Sequence, residues 1–381
     1  MSQKNIVVIT GEASGDAHAG RMITELKLLR PEIKVKGIGG DNMRKAGAEI
    51  MVDFSELAVM GLIEVIKRYR HIKNIFNQLL IELNTNKPDL IVLVDYPGFN
   101  LKLAKRAKKL GIPVLYYISP KVWAWRAGRV KTIKRYVDKI VVLFPFEVPI
   151  YENENIPVIC AGHPLVDAVK NSLSNKQAKI KVGLKLNRRV IGLFPGSRRS
   201  EIENLLPVML DAAERIQQRN KNVDIVLPLA PGIDETFLNS ILAKSIVPVK
   251  IVSDKFYQLT AACDVIVAAS GTATLEIALL GVPHFIAYRV SPISYQVLSR
   301  LVKIPYVGLC NIVTGKAVVL ELLQNDVTAQ RLDEELSALL SGQDSKVKAG
   351  QIRKQILAAL GPSGGAKNAA HEVISMLDIQ Q

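Results

Sequence analysis

Short apolar runs recur along the chain, separated by longer segments whose apolar residues return at helical spacing. Many runs are continuous in valine, isoleucine and leucine, which is typical of strands covered on both faces. Their alternation with helical segments predicts an α/β protein with parallel sheets joined by right-handed crossovers. The strands predicted in the first half are Ile6–Thr10, Val35–Ile38, Leu90–Val94, Val114–Ile118, Ile140–Phe144 and Val158–Ala161. Those predicted in the second half are Val190–Phe194, Asp224–Leu229, Val249–Val252, Val265–Ala269, His284–Val290 and Tyr306–Leu309.

The length of the chain, 381 residues, favours two domains over a single core. A polar and basic stretch, Val169–Arg189, separates the two sets of strands. We therefore expect two doubly wound domains that face each other across a cleft, at residues 1–170 and 171–350. Residues 351–381 form a C-terminal helical segment that can pack back on the N-terminal domain.

Composition and charge indicate the cellular compartment and the kind of partner that we expect for this protein. Three widely spaced cysteines without a C-x-x-C pair disfavour a disulfide framework or a zinc site and favour the cytosol. The N-terminus does not resemble a secretory signal, and no apolar stretch approaches the roughly 20 residues that span a bilayer. A net charge of +15 indicates an anionic partner, and about twelve Lys and Arg against one acid lie between Leu101 and Ile140.

The first predicted strand leads into the turn "GEASGD", residues 11–16. A strand followed by a glycine-containing turn and a helix usually binds phosphate on backbone N–H groups. The carboxylates of Glu12 and Asp16 disfavour a nucleotide here, because it would bring further negative charge.

The loop "FPGSRRSEIE", residues 194–203, is a first candidate phosphate site. Ser200 and Glu203 have the spacing of a capping box that starts a helix. Arg198 precedes them and could bind a phosphate or a base through two parallel hydrogen bonds. The alternative is a capped helix with solvated arginines.

The segment "ASGTATLE", residues 269–276, is a second candidate. A helix that starts near Thr272 would direct its first N–H groups, with the hydroxyls of Ser270 and Thr272, at a diphosphate. Glu276 would accept hydrogen bonds from a ribose diol. The alternative is that Gly271 serves only close packing between strand and helix.

Other nucleotide and metal motifs are incomplete or absent. Residues 37–42 lack the last glycine of a G-x-G-x-x-G loop, and no G-x-S-x-G elbow occurs. No D-x-D pair occurs either, so we expect no metal ion and no other cofactor.

Asp95 follows five apolar residues and precedes a Tyr-Pro-Gly turn into a helix that Asn100 is expected to open. A carboxylate at the end of a central strand is well placed to be a general base. Alternatively, Asp95 only caps the turn. His163 could also be a base, although packing at a hinge fits it equally well.

Two segments combine apolar and basic residues. The predicted helix within residues 56–80 carries Val59, Leu62, Ile63 and Ile66 beside several cations, and residues 119–136 carry Trp123 and Trp125. Both patterns suit an acyl chain or an anionic membrane surface. Burial in the core is the alternative for the helix, and nucleic acid is a weaker alternative for the tryptophans because no RNA-binding signature is present.

Seven ordered motifs resemble the lipid-A-disaccharide synthase family. They are "GEASGD" at 11–16, "LAVMGLIEV" at 57–65, "DYPGFN" at 95–100, "SPKVWAWR" at 119–126, "GHPLVD" at 162–167, "PGSR" at 195–198 and "ASGTATLE" at 269–276. The resemblance implies a GT-B fold of two Rossmann-like domains. It also implies metal-independent, inverting transfer of 2,3-diacylglucosamine from its UDP derivative to 2,3-diacylglucosamine 1-phosphate, at the cytoplasmic face of the inner membrane.

The resemblance also implies roles for individual residues. Asp95 would be the base, and the acceptor would contact Glu12, Ser14, Gly15 and Asp16. The UDP part would be bound by a larger set, namely Gly196, Ser197, Arg198, Ser270, Gly271, Thr272, Glu276 and Asn311.

The chain departs from the family pattern near residues 306–324. The family usually has proline at the position of Cys310, arginine and glutamate at those of Lys316 and Ala317, and proline at that of Leu320. These differences leave the role of this loop in donor binding open. The remaining alternatives are another GT-B enzyme that acts on a UDP-amino sugar, such as a cell-wall glycosyltransferase or an epimerase, and a basic membrane- or nucleic-acid-binding protein without catalysis.

Overall fold

The computed structural model describes residues 3–57, 62–120, 122, 128–169, 173–230, 232–290, 305–342 and 344–379; within these ranges, the side chains of 62–69 are not described. The chain divides into two compact units. The first consists of Met1–Asp167 with Leu360–Gln381, and the second of Ala168–Ala359.

A seven-stranded parallel sheet forms the centre of the first unit, in the order β3-β2-β1-β4-β5-β6-β7. Its strands are β1 Asn5–Ile9, β2 Lys34–Gly39, β3 Glu49–Asp53, β4 Leu90–Val94, β5 Val114–Tyr117, β6 Lys139–Val142 and β7 Val158–Cys160.

A six-stranded parallel sheet forms the centre of the second unit, in the order β10-β9-β8-β11-β12-β13. Its strands are β8 Arg189–Phe194, β9 Val223–Pro228, β10 Val249–Val252, β11 Val265–Ala269, β12 His284–Tyr288 and β13 Glu321–Leu323. The α/β class with two doubly wound parallel sheets is confirmed.

Helices connect the strands as crossovers. In the first unit they are α1 Ala13–Leu29, α2 Asp41–Lys45, α3 Leu62–Thr85, α4 Pro97–Lys109, α5 Arg129–Tyr136, α6 Val148–Glu152 and α7 Leu165–Ala168, which ends just past the unit's boundary. In the second unit they are α8 Asn175–Lys181, α9 Arg199–Arg219, α10 Glu235–Leu242, α11 Phe256–Ala262, α12 Thr272–Leu279, α13 Leu309–Thr314, α14 Ala329–Ser341 and α15 Ser345–Ala359. The last helix, α16 Gly365–Asp378, belongs to the first unit and packs against α1.

Alternate residues of the central strands explain how each sheet is covered. Val7 and Ile9 of β1 point into one cluster with Leu93 of β4 and with Leu79 of α3. In the second unit, Leu193 of β8 lies in a comparable cluster with α9 and α14. Because both faces of these strands are buried, their sequences are continuously apolar.

The strand predictions were wrong at one edge of each sheet. Edge strand β3 was not predicted, because its sequence "EIMVD" is short, half-buried and flanked by acids. The predicted strand Tyr306–Leu309 was wrong, since helix α13 begins at Leu309. The N–H groups of Val307 and Gly308 donate to the Glu321 carboxylate, both at 2.9 Å, instead of to a neighbouring strand.

Among the helices that the structure describes, none is both long enough and apolar enough to cross a membrane.

Candidate active site

The two sheets each reverse their strand order at one point, between β1 and β4 in the first and between β8 and β11 in the second. In open parallel sheets, ligands bind beyond the carboxyl ends of the strands at such a reversal. The turn 11–16 follows β1 and Asp95 follows β4. Likewise, the loop 195–198 follows β8 and residues 270–272 follow β11. These predicted site residues therefore lie at the carboxyl edge of the sheet of their own unit, next to its reversal.

The backbone of Asp95 is held on both sides at the end of the central strand β4. Its N–H donates to the carbonyl of Tyr117 at 3.1 Å. Its carbonyl accepts from the hydroxyl of Tyr116 at 2.6 Å and from Nδ2 of Asn100 at 2.8 Å. Burial and the nearby Asp95 charge raise the pKa of Tyr116 well above its usual value, so this hydroxyl remains a donor. The half-buried Asp95 thus has the fixed backbone that a general base needs.

Asn100 does not open the following helix, so that prediction was wrong. Helix α4 begins at Pro97 with Tyr96 as its N-cap residue, and the side chain of Tyr96 makes no capping hydrogen bond. Asn100 lies inside the first turns and donates back to the carbonyls of Val94, at 3.2 Å, and Asp95.

The carboxylates of the 11–16 turn have different surroundings. Glu12 is exposed, and its Oε1 accepts from the hydroxyl of Ser14, also exposed, at 2.7 Å. Asp16 is only 1% exposed and accepts from the N–H groups of Gly40, at 2.6 Å, and Asn42, at 3.0 Å. Asp16 therefore caps the N-terminus of α2, and its predicted contact with the acceptor stays a prediction.

Gly15 lies buried beside β1 and β4. A Cβ at this position would be 3.4 Å from Cβ of Thr10 and 3.8 Å from the carbonyl oxygen of Val94. The residue brings α1 close to the sheet, and of the four predicted acceptor residues only Glu12 and Ser14 present exposed side chains.

His163 packs in the first unit rather than facing solvent. It is 6% exposed, its ring lies 5.0 Å from that of Phe144, and its Nδ1 accepts from the N–H of Leu165 at 3.2 Å. Burial lowers its pKa to about 3, with smaller contributions from His18 and Arg21. This environment favours the packing interpretation of His163.

Glu201, not Glu203, caps the helix that follows β8. Helix α9 begins at Arg199, and Oε2 of Glu201 accepts from the N–H groups of Ser197, at 3.2 Å, and Arg198, at 3.3 Å. The predicted capping box of Ser200 and Glu203 was wrong by two residues. The Glu201 carboxylate therefore takes the N–H groups of this turn in the structure.

Arg198 remains available in the loop before α9. Its side chain is 80% exposed and pairs with Oε1 of Glu201 at 3.1 Å. Gly196 has a φ of 109°, which favours glycine, and a Cβ there would be 2.3 Å from Oε2 of Glu201. The turn therefore depends on glycine, and it presents the guanidinium to solvent.

The N-terminus of α12 is open. Its N-cap residue Gly271 and the next residue Thr272 are exposed, and no side chain of the described residues caps the helix. A Cβ placed on Gly271 would meet nothing within 4 Å. Free N–H groups and the helix dipole make this end suitable for an anion such as a diphosphate.

The hydroxyl of Ser270 is bonded to the backbone of the second unit. It donates to the carbonyl of Val307 at 2.7 Å. Its only proton is thereby used, so this hydroxyl cannot also donate to a phosphate. Ser270 connects the turn after β11 to the loop before α13.

Asn311 is fully buried and has its hydrogen bonds satisfied within the second unit. Its amide donates to the carbonyl of Val319 and to Oε1 of Glu321, both at 2.8 Å, and its Oδ1 accepts from the N–H of Val319 at 2.9 Å. Its predicted contact with a diphosphate stays a prediction. Asn311 holds the chain between α13 and β13.

Glu276 has a partner that the sequence did not reveal. The hydroxyl of Tyr257, on α11, donates to Oε1 of Glu276 at 2.8 Å. Nothing in the sequence marks Tyr257, because the contact arises only when α11 and α12 are brought together by the sheet. The tyrosine thereby restricts the orientation of the Glu276 carboxylate.

The structure does not describe the side chains of the residues that are predicted to contact a membrane or an acyl chain. Val59, Trp123 and Trp125 lie outside the described residues, and Leu62 and its neighbours Ile63 and Ile66 lie in the part of α3 without described side chains. The described part of α4, by contrast, presents a cluster of cations. These cations and the aromatic residue beside them line a pocket of about 270 Å³, formed by Phe76, Lys102, Lys105, Arg106 and Lys109.

Within the described ranges, no three His, Cys, Asp or Glu side chains are grouped so that they could hold a metal ion. The cysteines Cys160, Cys263 and Cys310 are free thiols.

Comparison with solved structures defines the class of protein. The calicheamicin glycosyltransferase CalG4 matches with a TM-score of 0.63 at 14% identity, covering 99% of each chain. The UDP-GlcNAc 2-epimerase of Neisseria meningitidis, solved bound to UDP-GlcNAc, matches with a TM-score of 0.60 at 15% identity, covering 99% of this chain and 100% of the other. These two likenesses place the fold among GT-B glycosyltransferases and epimerases.

Sequence comparison then identifies the family. The profile of the lipid-A-disaccharide synthetase family matches residues 6–374. The lipid-A-disaccharide synthase of Geobacter metallireducens is 46% identical over 376 residues, which are 98% of this chain and 97% of that protein. The chain belongs to the lipid-A-disaccharide synthetase family and is a glycosyltransferase.

Proposed function

We propose that this protein transfers 2,3-diacylglucosamine from UDP-2,3-diacylglucosamine to 2,3-diacylglucosamine 1-phosphate. The products are a β-1,6-linked disaccharide 1-phosphate and UDP. Membership of the family supports the reaction, and the positions of the residues at the two sheet edges support the roles given below.

In the chemical step, Asp95 takes the proton of the acceptor's 6-hydroxyl. The hydroxyl oxygen forms a bond to the anomeric carbon of the donor, while the bond from that carbon to the UDP oxygen breaks. UDP leaves with the electron pair, and attack from the opposite face inverts the anomeric configuration. The observation that carries this proposal is the fixed backbone of Asp95 at the end of β4.

The second unit supplies the donor site. The open N-terminus of α12, at Gly271 and Thr272, would hold the diphosphate and stabilise the charge that develops on the leaving group. Arg198 would add a cation to the UDP part, and Glu276, oriented by Tyr257, would accept hydrogen bonds from the ribose.

The acceptor would be bound beyond β1 and β4, with Glu12 and Ser14 contacting its hydroxyl and amide groups. Both side chains are exposed, and they belong to the same sheet edge as Asp95. Replacing Glu12 by alanine would then reduce turnover without changing UDP affinity.

For its location, we propose a peripheral protein at the cytoplasmic face of the inner membrane. On α4, Lys102, Lys105, Arg106 and Lys109 are all exposed, and none forms an ion pair with a described residue. An unbalanced set of cations next to the aromatic ring of Phe76 suits anionic headgroups.

The proposed function is tested with the purified full-length protein, the UDP-diacyl sugar and the acyl sugar phosphate, with excess chelator present. We expect equal amounts of disaccharide 1-phosphate and UDP, formed only when both substrates are present. Conversion of the UDP-sugar without acceptor would instead indicate an epimerase, and release of no UDP under any condition would contradict transfer.

A further inference from the structure

Gly11 and Tyr96 are in direct contact, although they belong to loops that follow different strands. A Cβ placed on Gly11 would be 2.2 Å from Cγ and Cδ1 of Tyr96 and 2.6 Å from Cδ2. Two carbon atoms cannot approach this closely. The base of the tyrosine ring therefore packs on the backbone of Gly11, in space that only glycine leaves open.

Gly11 is needed for space and not for its backbone conformation. Its φ lies outside the left-handed region that favours glycine. An alanine could adopt the same backbone, but its methyl group would collide with the ring. The colliding atoms are Cγ and Cδ1, close to the main chain of Tyr96, so a small rotation of the side chain would not relieve the contact.

Tyr96 is anchored at its other end as well. Its hydroxyl donates to the carbonyl of Leu57 at 3.1 Å, and its ring centroid lies 6.0 Å from that of Phe99. Burial, with a smaller effect of the Glu12 charge, raises the pKa of Tyr96, so the hydroxyl keeps its proton. Swinging the ring away from Gly11 would break the bond to Leu57.

The backbone of Tyr96 is joined to that of Asp95 in an unusual conformation. Both residues have a φ of 46°, in the left-handed region that residues other than glycine rarely occupy. Two such residues in succession persist only where their surroundings hold them. The contact with Gly11 and the bond to Leu57 hold Tyr96, as Tyr116 and Asn100 hold Asp95.

We infer that Gly11 and Tyr96 are positioning residues for the base. The missing Cβ at Gly11 lets the Tyr96 ring close on the 11–16 turn, and this closure fixes the backbone that directs the Asp95 carboxylate. The inference rests on the proposed role of Asp95. It also gives the first glycine of the "GEASGD" motif a function separate from acceptor binding.

The test compares Gly11→Ala with Gly98→Ala, using the full-length protein and steady-state transfer. Gly98 lies in the same turn as Asp95, but a Cβ there would meet nothing within 4 Å. We expect Gly11→Ala to lower kcat about 100-fold, since a displacement of about 1 Å at a reacting group has an effect of this size. The donor KM and the affinity for UDP should change less than about twofold. Gly98→Ala should behave as the wild type.

Variants at Tyr96 show whether Gly11 acts through the ring. Tyr96→Phe keeps the packing and should lose less than about fivefold in kcat, whereas Tyr96→Ala should lose about as much as Gly11→Ala. In the Tyr96→Ala background, Gly11→Ala should cost nothing more, because the colliding ring is absent. If Gly11→Ala does not fold, the comparison of Tyr96→Phe with Tyr96→Ala carries the test.

Equal kcat values for Gly11→Ala and Gly98→Ala would overturn the inference. So would a Gly11→Ala effect that is as large without the ring as with it. Asp95→Asn is measured alongside: if it retains the wild-type rate, the role of Asp95 is wrong. If only Asp95→Asn loses activity, the role of the base stands and the positioning by Gly11 and Tyr96 is wrong.

Discussion

At the scale of single residues, burial separates the carboxylates of the two sheet edges into different roles. Asp16 and Glu201 each accept hydrogen bonds from backbone N–H groups at a helix N-terminus, so their oxygens are used by the fold. Glu12 is exposed, and Glu276 has one oxygen bonded to Tyr257. The sequence marks all four residues as acids near a turn, and it cannot tell which of them the folded backbone neutralises.

The bond from Tyr257 to Glu276 leads to a prediction for donor binding. Tyr257→Phe removes the hydroxyl that orients Glu276, so the ribose contact should weaken. We expect the donor KM and the dissociation constant of UDP to rise about fivefold, or about 1 kcal/mol, with kcat nearly unchanged. Titration calorimetry with UDP measures the change.

Tyr136→Phe is the control for this prediction. Tyr136 is a half-buried tyrosine of the first unit that lies under the Lys105 ammonium at 5.9 Å from the ring centre. It should bind UDP as the wild type does. Unchanged UDP affinity in Tyr257→Phe would contradict the orienting role of Tyr257.

At the scale of elements, α4 joins the base to the proposed membrane surface. Its first residue lies two positions after Asp95, and its exposed face carries the cations that surround Phe76. No aspartate or glutamate occurs within α4. The helix therefore offers its apolar side to the sheet and an uninterrupted positive side to solvent.

Removing the four cations of α4 should weaken binding to anionic vesicles. We expect the variant with serine at Lys102, Lys105, Arg106 and Lys109 to lose roughly 4 kcal/mol at low salt, at about 1 kcal/mol per charge, and less at high salt. Co-sedimentation with vesicles that contain anionic lipid measures the loss.

A variant with the same loss of charge in the second unit separates location from net charge. Serine at four exposed lysines, Lys176, Lys181, Lys185 and Lys244, provides it. This control should bind vesicles nearly as the wild type does. Equal weakening in both variants would show that net charge alone attracts the protein to the surface.

The central strands were predictable from the sequence, whereas the edge strands β3 and β13 and the order of the strands in each sheet were not. Buried central strands such as β1, β4 and β11 are continuously apolar, so pattern alone locates them. Strand β13 was missed because its pairing partner β12 lies more than thirty positions earlier, across residues that include α13. Strand order is also absent from a linear pattern, so the positions of the two reversals could be obtained only from the structure.

For the candidate site, the sequence indicates which residues to consider but not which partners they have in the fold. The sequence singles out Asp95, Arg198 and Glu276 because each lies in a motif that joins a strand to a helix, and their roles stay predictions. The hydrogen bonds of Asp16, Asn311 and Ser270 were not predictable, because their partners Gly40, Val319 and Val307 lie 24, 8 and 37 positions away.

At the scale of the whole molecule, buried histidines make the stability of the protein depend on pH. Burial lowers the pKa of His18 and of His284 to about 4, and that of His163 to about 3. In the unfolded chain these groups titrate near 6.5, so the unfolded state takes up protons first as pH falls. Stability should therefore be complete above about pH 6.5 and should decrease between about pH 6.5 and pH 3.

His163→Asn tests this dependence, because asparagine can still accept the N–H of Leu165 but cannot become charged. We expect the unfolding free energy of the variant to depend less on pH. Between pH 7 and pH 4 it should fall by on the order of 3 kcal/mol less than that of the wild type. Urea unfolding across this range measures it. His371→Asn, at an exposed position of α16, is the control and should leave the slope as it is. An unchanged slope in His163→Asn would contradict a neutral, buried His163.

The two units divide the proposed reaction: Asp95 and the acceptor turn lie in the first, and the diphosphate site of α12 lies in the second. A change to the base should therefore affect chemistry without affecting UDP.

The most direct measurement is single-turnover transfer by Asp95→Asn, together with its UDP affinity. Asparagine keeps the size of the side chain and removes the basic oxygen. We predict a fall in rate of about 10² to 10⁴-fold with an unchanged dissociation constant for UDP. A rate within a few fold of the wild type would contradict the account, and so would a loss of UDP binding that explains the lost activity.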